Sequence, residues 1–305
     1  DLRALVEFIL RDDAFVPPTP PSEDPARWKA LEEPARVPRG KRLIETSRCV
    51  VCHDVKGIPE VISLPARRPP PKADTIEWIA YDVPAVERDI ALFGGCTEQY
   101  VFISSASAYQ KPPTSYLITE STPLANPFWE YSRKKIACEE RLIAEYRRNG
   151  FPATIVRPSH TSGPTMLPTA VGRGPHVVAR IRAGKPVIVH GDGESLWVLT
   201  HNTDFAKAFT GVLANPAAIG HAFHITGDEV LTWNQIYARL GAALGVEPRI
   251  VHVPSDAIAR MDPGTGAGLL GDKAISVVFD NTKIKRLVPE YVATVPFIEG
   301  VKECV

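Results

Sequence analysis

Two apolar runs in the middle of the chain have the pattern of buried strands. Residues 100–103 and 151–156 are rich in aromatic and β-branched side chains, and each run is followed by small polar residues. The stretch between them, 126–149, is predicted to be a helix that ends at Gly150, a residue type that suits a helix C-cap. This order of strand, helix and strand favours an α/β sheet, in which functional sites form where strands end in polar loops.

Short elements continue after residue 160. The pattern predicts two strands and three helices, at 186–189, 249–253, 176–183, 204–213 and 232–244. Thr232 and Gln235 match a capping box, and Thr203 or Asp204 can cap the helix before it. Four histidines lie at strand ends without the i, i+4 spacing of a helical metal site, so no metal is predicted there: His190, His201, His224 and His252.

Composition narrows the class of protein. The chain has 305 residues, of which 44% are hydrophobic and 23% charged, as in a soluble globular enzyme. Lysine and arginine number 35, as do aspartate and glutamate, so neither a nucleic-acid partner nor an anionic membrane is expected. Five cysteines without framework spacing, together with the lack of a long apolar span, favour a reducing, cytoplasmic compartment.

Tyr131 and Lys135 are the leading candidates for chemistry. A spacing of four residues on a helix puts both side chains on one face, one turn apart. An ammonium beside a phenol can lower the phenol pKa from about 10, which makes Tyr131 a candidate acid/base and Lys135 its tuner. Taken alone, such a pair is also common on solvated helix faces.

The wider pattern resembles the extended short-chain dehydrogenase/reductase family, which includes NAD-dependent epimerases and dehydratases. The resemblance lies in the series of strand, S-S-A-x-x-Y, helix with Y-x-x-x-K, strand and R-P-S, and it covers roughly residues 74–305. It implies an α/β fold with a partial Rossmann-like parallel sheet at 73–165 and a substrate lobe with return elements at 166–305. The proline-rich segment 1–72 precedes both.

The same resemblance implies the roles of individual residues. Ser105 would bind the substrate oxygen, Tyr131 would exchange its proton, and Lys135 would bind the nicotinamide ribose of NAD or NADP. The backbone at Pro158, Ser159 and His160 would border the nicotinamide. The implied activity is hydride transfer on a small molecule, either a nucleotide sugar or another sugar derivative, and a homodimer is left open.

Two features depart from the family. The T-G-x-x-G-x-x-G turn that receives the pyrophosphate is absent from the sequence, so binding of NAD or NADP is expected to be weak or lost. The region 196–206 also lacks the arginine that usually clamps a nucleotide diphosphate. A catalytically silent relative that acts as a binding module therefore remains an alternative.

Residues 1–72 have a different character. They hold twelve of the 29 prolines and the C-x-x-C-H motif of Cys49, Cys52 and His53, which resembles the haem-attachment motif of c-type cytochromes. Haem at this motif would make the chain a periplasmic electron-transfer protein. We do not expect a bound haem, because a second axial ligand is missing from this part of the sequence. Both methionines lie after residue 100, and His53 is the only histidine before it. A redox-active dithiol or two ordinary loop cysteines are the alternatives.

Overall fold

The computed structural model describes residues 73–305. Their centre is a four-stranded parallel sheet, in the order β1, β2, β4, β8. The four strands span Ala73–Glu77, Thr97–Ile103, Ala153–Pro158 and Ala222–Ile225. Since all four run in the same direction, their carboxyl ends meet at one edge. The α/β class with a parallel sheet is thus confirmed for this part of the chain.

Both faces of this sheet are covered, which explains the near-continuous apolar strands. On one face, helix α1 (Val83–Phe93) and helix α2 (Glu130–Asn149) pack against Tyr100 and Phe102. On the other face, helix α4 (Asn202–Val212) packs its phenylalanines against Val101.

Most of the remaining elements pack around a further apolar cluster that contains Trp197, Trp233 and Tyr237, whereas Ile284 packs on the α4 face of the sheet. Its strands are short and pair in three small sheets: β5 with β7 and β9, β6 with β10, and β3 with β11. In chain order, these strands are β3 (Leu117–Ile118), β5 (His160–Ser162), β6 (Val187–His190), β7 (Leu196–His201), β9 (Val230–Thr232), β10 (Ile250–Val253) and β11 (Val278–Phe279). The helices are α3 (Gly174–Arg182), α5 (Trp233–Leu244), α6 (Ser255–Met261), α7 (Pro263–Gly268), α8 (Thr282–Leu287) and α9 (Phe297–Gly300).

Helix ends agree with the sequence in part. Gly150 ends α2 in the left-handed conformation (φ 70°), and Thr232 with Gln235 forms the expected capping box of α5. The predicted start of α2 at residue 126 is wrong, because the Asn126 side chain folds back onto the backbone N–H groups of Phe128 and Trp129. The predicted cap of α4 is also wrong, since the His201 ring accepts the hydrogen bond there.

Several expectations are not tested by these elements. The division at residues 165 and 166 stays a prediction. Residues 1–72, with the haem-like motif of Cys49, Cys52 and His53, lie outside the described residues. Between 73 and 305, none of the helices combines the length and apolar composition that a membrane span requires.

Candidate active site

Ser105 lies in the polar loop directly after β2. Its hydroxyl accepts a hydrogen bond from the backbone N–H of Ser107 (3.2 Å) and lies 2.9 Å from the Ser107 hydroxyl. Ser132, on the first turn of α2, donates to that same Ser107 hydroxyl at 2.7 Å. These contacts join the loop to the helix, so that Ser105 and the start of α2 are held together at the carboxyl edge of the sheet.

Tyr131 stands on the first turn of α2, next to Ser105. Its ring packs against Trp129 and Tyr81, at centroid distances of 4.9 and 6.2 Å. Burial raises the pKa of Tyr131, while a hydrogen bond with Ser105 opposes the rise and the charge of Asp272 adds to it. The phenol is therefore protonated at neutral pH.

Lys135 is almost fully enclosed, with 1% of its surface exposed. Its ammonium donates to the carbonyl oxygens of Ala80 (2.9 Å), which lies just after β1, and of Ile103 (2.8 Å), the last residue of β2. Burial lowers the pKa of Lys135 to about 8. The ammonium lies 6.0 Å from the centroid of the Tyr131 ring. Lys135 is not among the groups that shift the Tyr131 pKa in this arrangement, and burial raises that pKa instead of the expected lowering.

The third predicted segment reaches the same edge from β4. Ile103 pairs with Val156, so the ends of β2 and β4 are neighbours. Pro158 is the last residue of β4, the Ser159 hydroxyl lies 2.9 Å from that of Thr200, and His160 begins β5. The residues that the resemblance implied for catalysis and for the nicotinamide thus come from adjoining strand ends and one helix.

Three further residues at this edge were not predicted from the sequence. Lys111 is 3% exposed, and its ammonium lies 3.8 Å from the carboxylate of Asp272, which is 7% exposed. His160 approaches the other carboxylate oxygen at 3.7 Å. The Asn126 amide donates to the carbonyls of Ser107 (2.9 Å) and Gly271 (2.7 Å), which fixes the Asp272 segment beside the serine loop. The sequence offered one signal for these three residues, which is that Lys111 stands directly before two prolines.

Beneath the site lies a closed polar network. Glu139, one turn after Lys135, accepts hydrogen bonds from Arg157 at 3.0 and 2.5 Å and from Ser104. The Arg157 guanidinium lies 4.8 Å from the centroid of the Tyr109 ring. The Tyr109 hydroxyl donates to His224 (3.0 Å), whose other ring nitrogen donates to the Asp280 carbonyl. This network ties α2 to the strand ends that carry the candidate residues.

The residues present fit the nicotinamide end of a dinucleotide. An ammonium has three N–H donors, and two of those on Lys135 are used, which leaves one for a ribose hydroxyl. Within residues 73–305, the start of α1 does not fit a diphosphate. Helix α1 follows β1 as a phosphate-binding helix would, but Asp82 caps it by accepting from Ala85 N–H (3.1 Å), and this carboxylate repels an anion.

Metal-binding geometry does not occur in the part of the chain described. Between residues 73 and 305, no three histidine, cysteine, aspartate or glutamate side chains converge in a group that could hold an ion. His190, for example, donates to the Lys273 carbonyl at 3.0 Å, and the His224 ring accepts a hydrogen bond from the Tyr109 hydroxyl.

Comparison with known proteins agrees with this geometry. Residues 90–226, which contain Ser105, Tyr131, Lys135 and the end of β4, match the NAD dependent epimerase/dehydratase family. The 2'-dehydrokanamycin reductase of Streptomyces kanamyceticus is 30% identical over 197 residues, which are 64% of this chain and 54% of that enzyme. Chloroplast stem-loop binding protein of 41 kDa b from Arabidopsis thaliana is 31% identical over 156 residues, 51% of this chain and 39% of that protein.

The family fold is also found in solved structures. One of them is UDP-glucuronic acid 4-epimerase from Bacillus cereus in complex with UDP-glucuronic acid and NAD. The match covers 72% of this chain and 65% of the epimerase chain, with a TM-score of 0.61 and 19% identity. At that identity, the likeness is one of fold. The chain spans about half the length of the reductase and a smaller share of the chloroplast protein.

Proposed function

We propose that the chain is an NAD(P)-dependent oxidoreductase or epimerase of the short-chain dehydrogenase type, with Tyr131 as the acid/base. The observation that carries the proposal is that Ser107 and Ser132 tie the Ser105 loop to the first turn of α2, which carries Tyr131, at the carboxyl edge of a parallel sheet, with Lys135 buried one turn behind. A strand-end serine, a tyrosine and a lysine on one helix face are arranged for proton transfer to a carbonyl oxygen.

The chain's own residues account for the proton. Ser105 holds the substrate carbonyl oxygen, and the Tyr131 hydroxyl donates its proton to that oxygen as the carbonyl is reduced to an alcohol. Tyr131 is left as a phenolate, which takes a proton back from solvent. Because burial raises the Tyr131 pKa above its ordinary range, the hydroxyl carries its proton at neutral pH.

A bound nicotinamide cofactor would supply or accept the hydride. Lys135 would hold its ribose, and the backbone at Pro158, Ser159 and His160 would border its ring. Weak dinucleotide binding stays a prediction: the sequence lacks the glycine turn, and Asp82 occupies the helix end that follows β1. Calorimetric titration of NAD⁺ and NADPH into the full chain tests it, and micromolar affinity would contradict it.

The substrate that we propose is a hydroxylated sugar derivative. The reductase relative is named for 2'-dehydrokanamycin, and the epimerase structure holds UDP-glucuronic acid. No arginine stands in the segment 196–206, where a diphosphate clamp would be expected, which argues against dependence on the nucleotide part.

Replacing Tyr131 by phenylalanine tests the proposal. The ring contacts with Trp129 and Tyr81 remain while the exchangeable proton is lost, so turnover should fall by about 10²-fold or more with little effect on folding. The measurement is the change in reduced-nicotinamide absorbance with 2'-dehydrokanamycin, UDP-glucose and UDP-glucuronic acid as trial substrates. Tyr116→Phe, at an exposed tyrosine away from this edge, is the matched control. Equal turnover in the two variants would disprove the role of Tyr131.

A further inference from the structure

The carboxylate of Asp272 is buried but not hydrogen-bonded within the described part of the chain. Its two nearest polar partners there are the Lys111 ammonium at 3.8 Å and the His160 ring at 3.7 Å. Both distances exceed a direct hydrogen bond, so each carboxylate oxygen can still accept a hydrogen bond from another group. Lys111 is likewise buried, and among residues 73–305 its ammonium makes no polar contact shorter than this 3.8 Å pair.

These groups lie beside the acid/base. The negative charge of Asp272 adds to the rise of the Tyr131 pKa that burial causes. Asn126 links the carbonyl of Gly271, next to Asp272, to the carbonyl of Ser107 in the serine loop. Trp129 packs on Tyr131 and also closely faces Gly271, where an added Cβ would come within 2.8 Å of the Trp129 Cβ. The position of Asp272 relative to Tyr131 is therefore fixed by packing.

The charges of the pair decide what can bridge it. A ligand ammonium can only donate hydrogen bonds, and its positive charge would be repelled by Lys111. A ligand phosphate can only accept them, and its negative charge would be repelled by Asp272. A hydroxyl donates to the carboxylate and accepts from the ammonium at the same time. An oxygen roughly 2.8 Å from each group can bridge a gap of 3.8 Å, with an angle of about 85° at that oxygen.

We infer that Lys111, Asp272 and His160 form a subsite for one uncharged ring hydroxyl, on the carbon next to the carbinol that Tyr131 protonates. This inference rests on the proposed function for the identity of the reacting carbon. It adds a site that selects a hydroxyl group of the substrate over an amino group or a phosphate at the same position.

Binding measurements on the full chain test the subsite without requiring turnover. The probes are methyl glucoside and UDP-glucose, each with analogues in which the 2- or the 3-hydroxyl is replaced by hydrogen or by an amino group. Calorimetry gives the dissociation constants, and the fluorescence of Trp129 and Trp197 gives a second readout, since Trp197 contacts His160. At one of the two positions, both replacements should weaken binding by about 10-fold or more, as expected for a lost hydrogen bond to a charged group.

That selectivity should disappear in the variants. In Asp272→Asn and Lys111→Met, the ratio of dissociation constants between the deoxy and the hydroxyl probe should fall towards one. Asp256→Asn and Lys134→Met, at exposed residues of the same types, should keep the wild-type ratio. Circular dichroism and thermal melting establish that each variant is folded.

The outcomes separate this inference from the proposed function. Tyr131→Phe should retain the selectivity even though turnover is lost. Selectivity that depends on Lys111 and Asp272 in a chain without turnover would support the subsite and count against the enzyme. Turnover that depends on Tyr131, with selectivity unchanged in Asp272→Asn and Lys111→Met, would overturn the subsite alone. Tighter binding of the amino analogue, or no binding of any hydroxylated probe at millimolar concentration, would also overturn it.

Discussion

Two buried carboxylates near the candidate site, Glu139 and Asp272, meet cations in very different ways. Glu139 receives the Arg157 guanidinium at 2.5 to 3.2 Å through three contacts and also accepts from Ser104. Asp272 stands 3.8 Å from Lys111 and accepts no hydrogen bond from within residues 73–305. The first carboxylate has its lone pairs filled by the protein, whereas the second has them free to meet a ligand.

The difference separates support from function. Burying a charge is costly unless hydrogen bonds replace its hydration, and the Glu139 carboxylate meets that condition through Arg157 and Ser104 while joining α2 to β4, although Arg157 Nη1 has no partner among residues 73–305. The Asp272 pair does not meet it, although it is almost as deeply buried. Polar groups that remain incompletely satisfied at a strand-end cleft are typical of sites where a substrate completes the hydrogen bonding.

The largest expected effect is the loss of the closed pair. Glu139→Gln removes the anion that faces Arg157 and leaves a buried guanidinium uncompensated, which should lower the free energy of unfolding by about 3–5 kcal/mol. Urea denaturation followed by circular dichroism measures it. Glu140→Gln, at the exposed neighbouring residue, is the control. If both variants unfold at the same urea concentration, the Arg157 pair does not support the fold.

A second prediction concerns the pH dependence of stability and compares His190, which contacts Lys273, with His160, which contacts Asp272. His190 is enclosed and donates to the carbonyl of Lys273, and burial lowers its pKa from 6.5 to about 4. Below pH 6.5 the unfolded chain binds a proton that the folded protein does not, so stability is complete above pH 6.5 and falls as the pH drops towards 4. The loss attributable to His190 is about 3 kcal/mol.

Urea denaturation at a series of pH values measures this slope. His190→Gln should remove the corresponding part of the acid-dependent loss. His160→Gln, at the half-exposed histidine on the open side of Asp272, should leave most of it. A slope that is unchanged in His190→Gln would show that the acid sensitivity arises elsewhere.

The sequence predicted the closed part of the molecule better than the open part. Apolar runs located the strands at 100–103 and 151–156, because a strand covered on both faces needs such residues throughout. The spacing of Tyr131 and Lys135 placed both on α2, and Gly150 ended that helix as its left-handed conformation requires. These features depend on short stretches of chain, so local patterns suffice.

Asp272, Lys111 and Asn126 depend on contacts between distant segments. The Asn126 amide meets the Gly271 carbonyl across 145 residues of sequence, and no local period indicates that contact. The same side chain delayed the start of α2 to Glu130, because it bonds the N–H groups that a helix would use. Lys135 shows the reverse case: its position was predicted, but its two carbonyl partners, which come from two other segments, were not.

The smallest expected effect on stability is the loss of the Asp272 charge. Asp272→Asn breaks no hydrogen bond within residues 73–305, and the volume of the side chain is kept. Lys111 would lose its nearby anion, but burial already lowers the pKa of that lysine, so it can give up its proton at modest cost. The free energy of unfolding at pH 7.5 should therefore change by about 1 kcal/mol or less, as measured by urea denaturation beside Glu139→Gln. A loss as large as that of Glu139→Gln would mean that the Lys111 pair supports the fold, and the contrast between a closed and an open carboxylate would then fail.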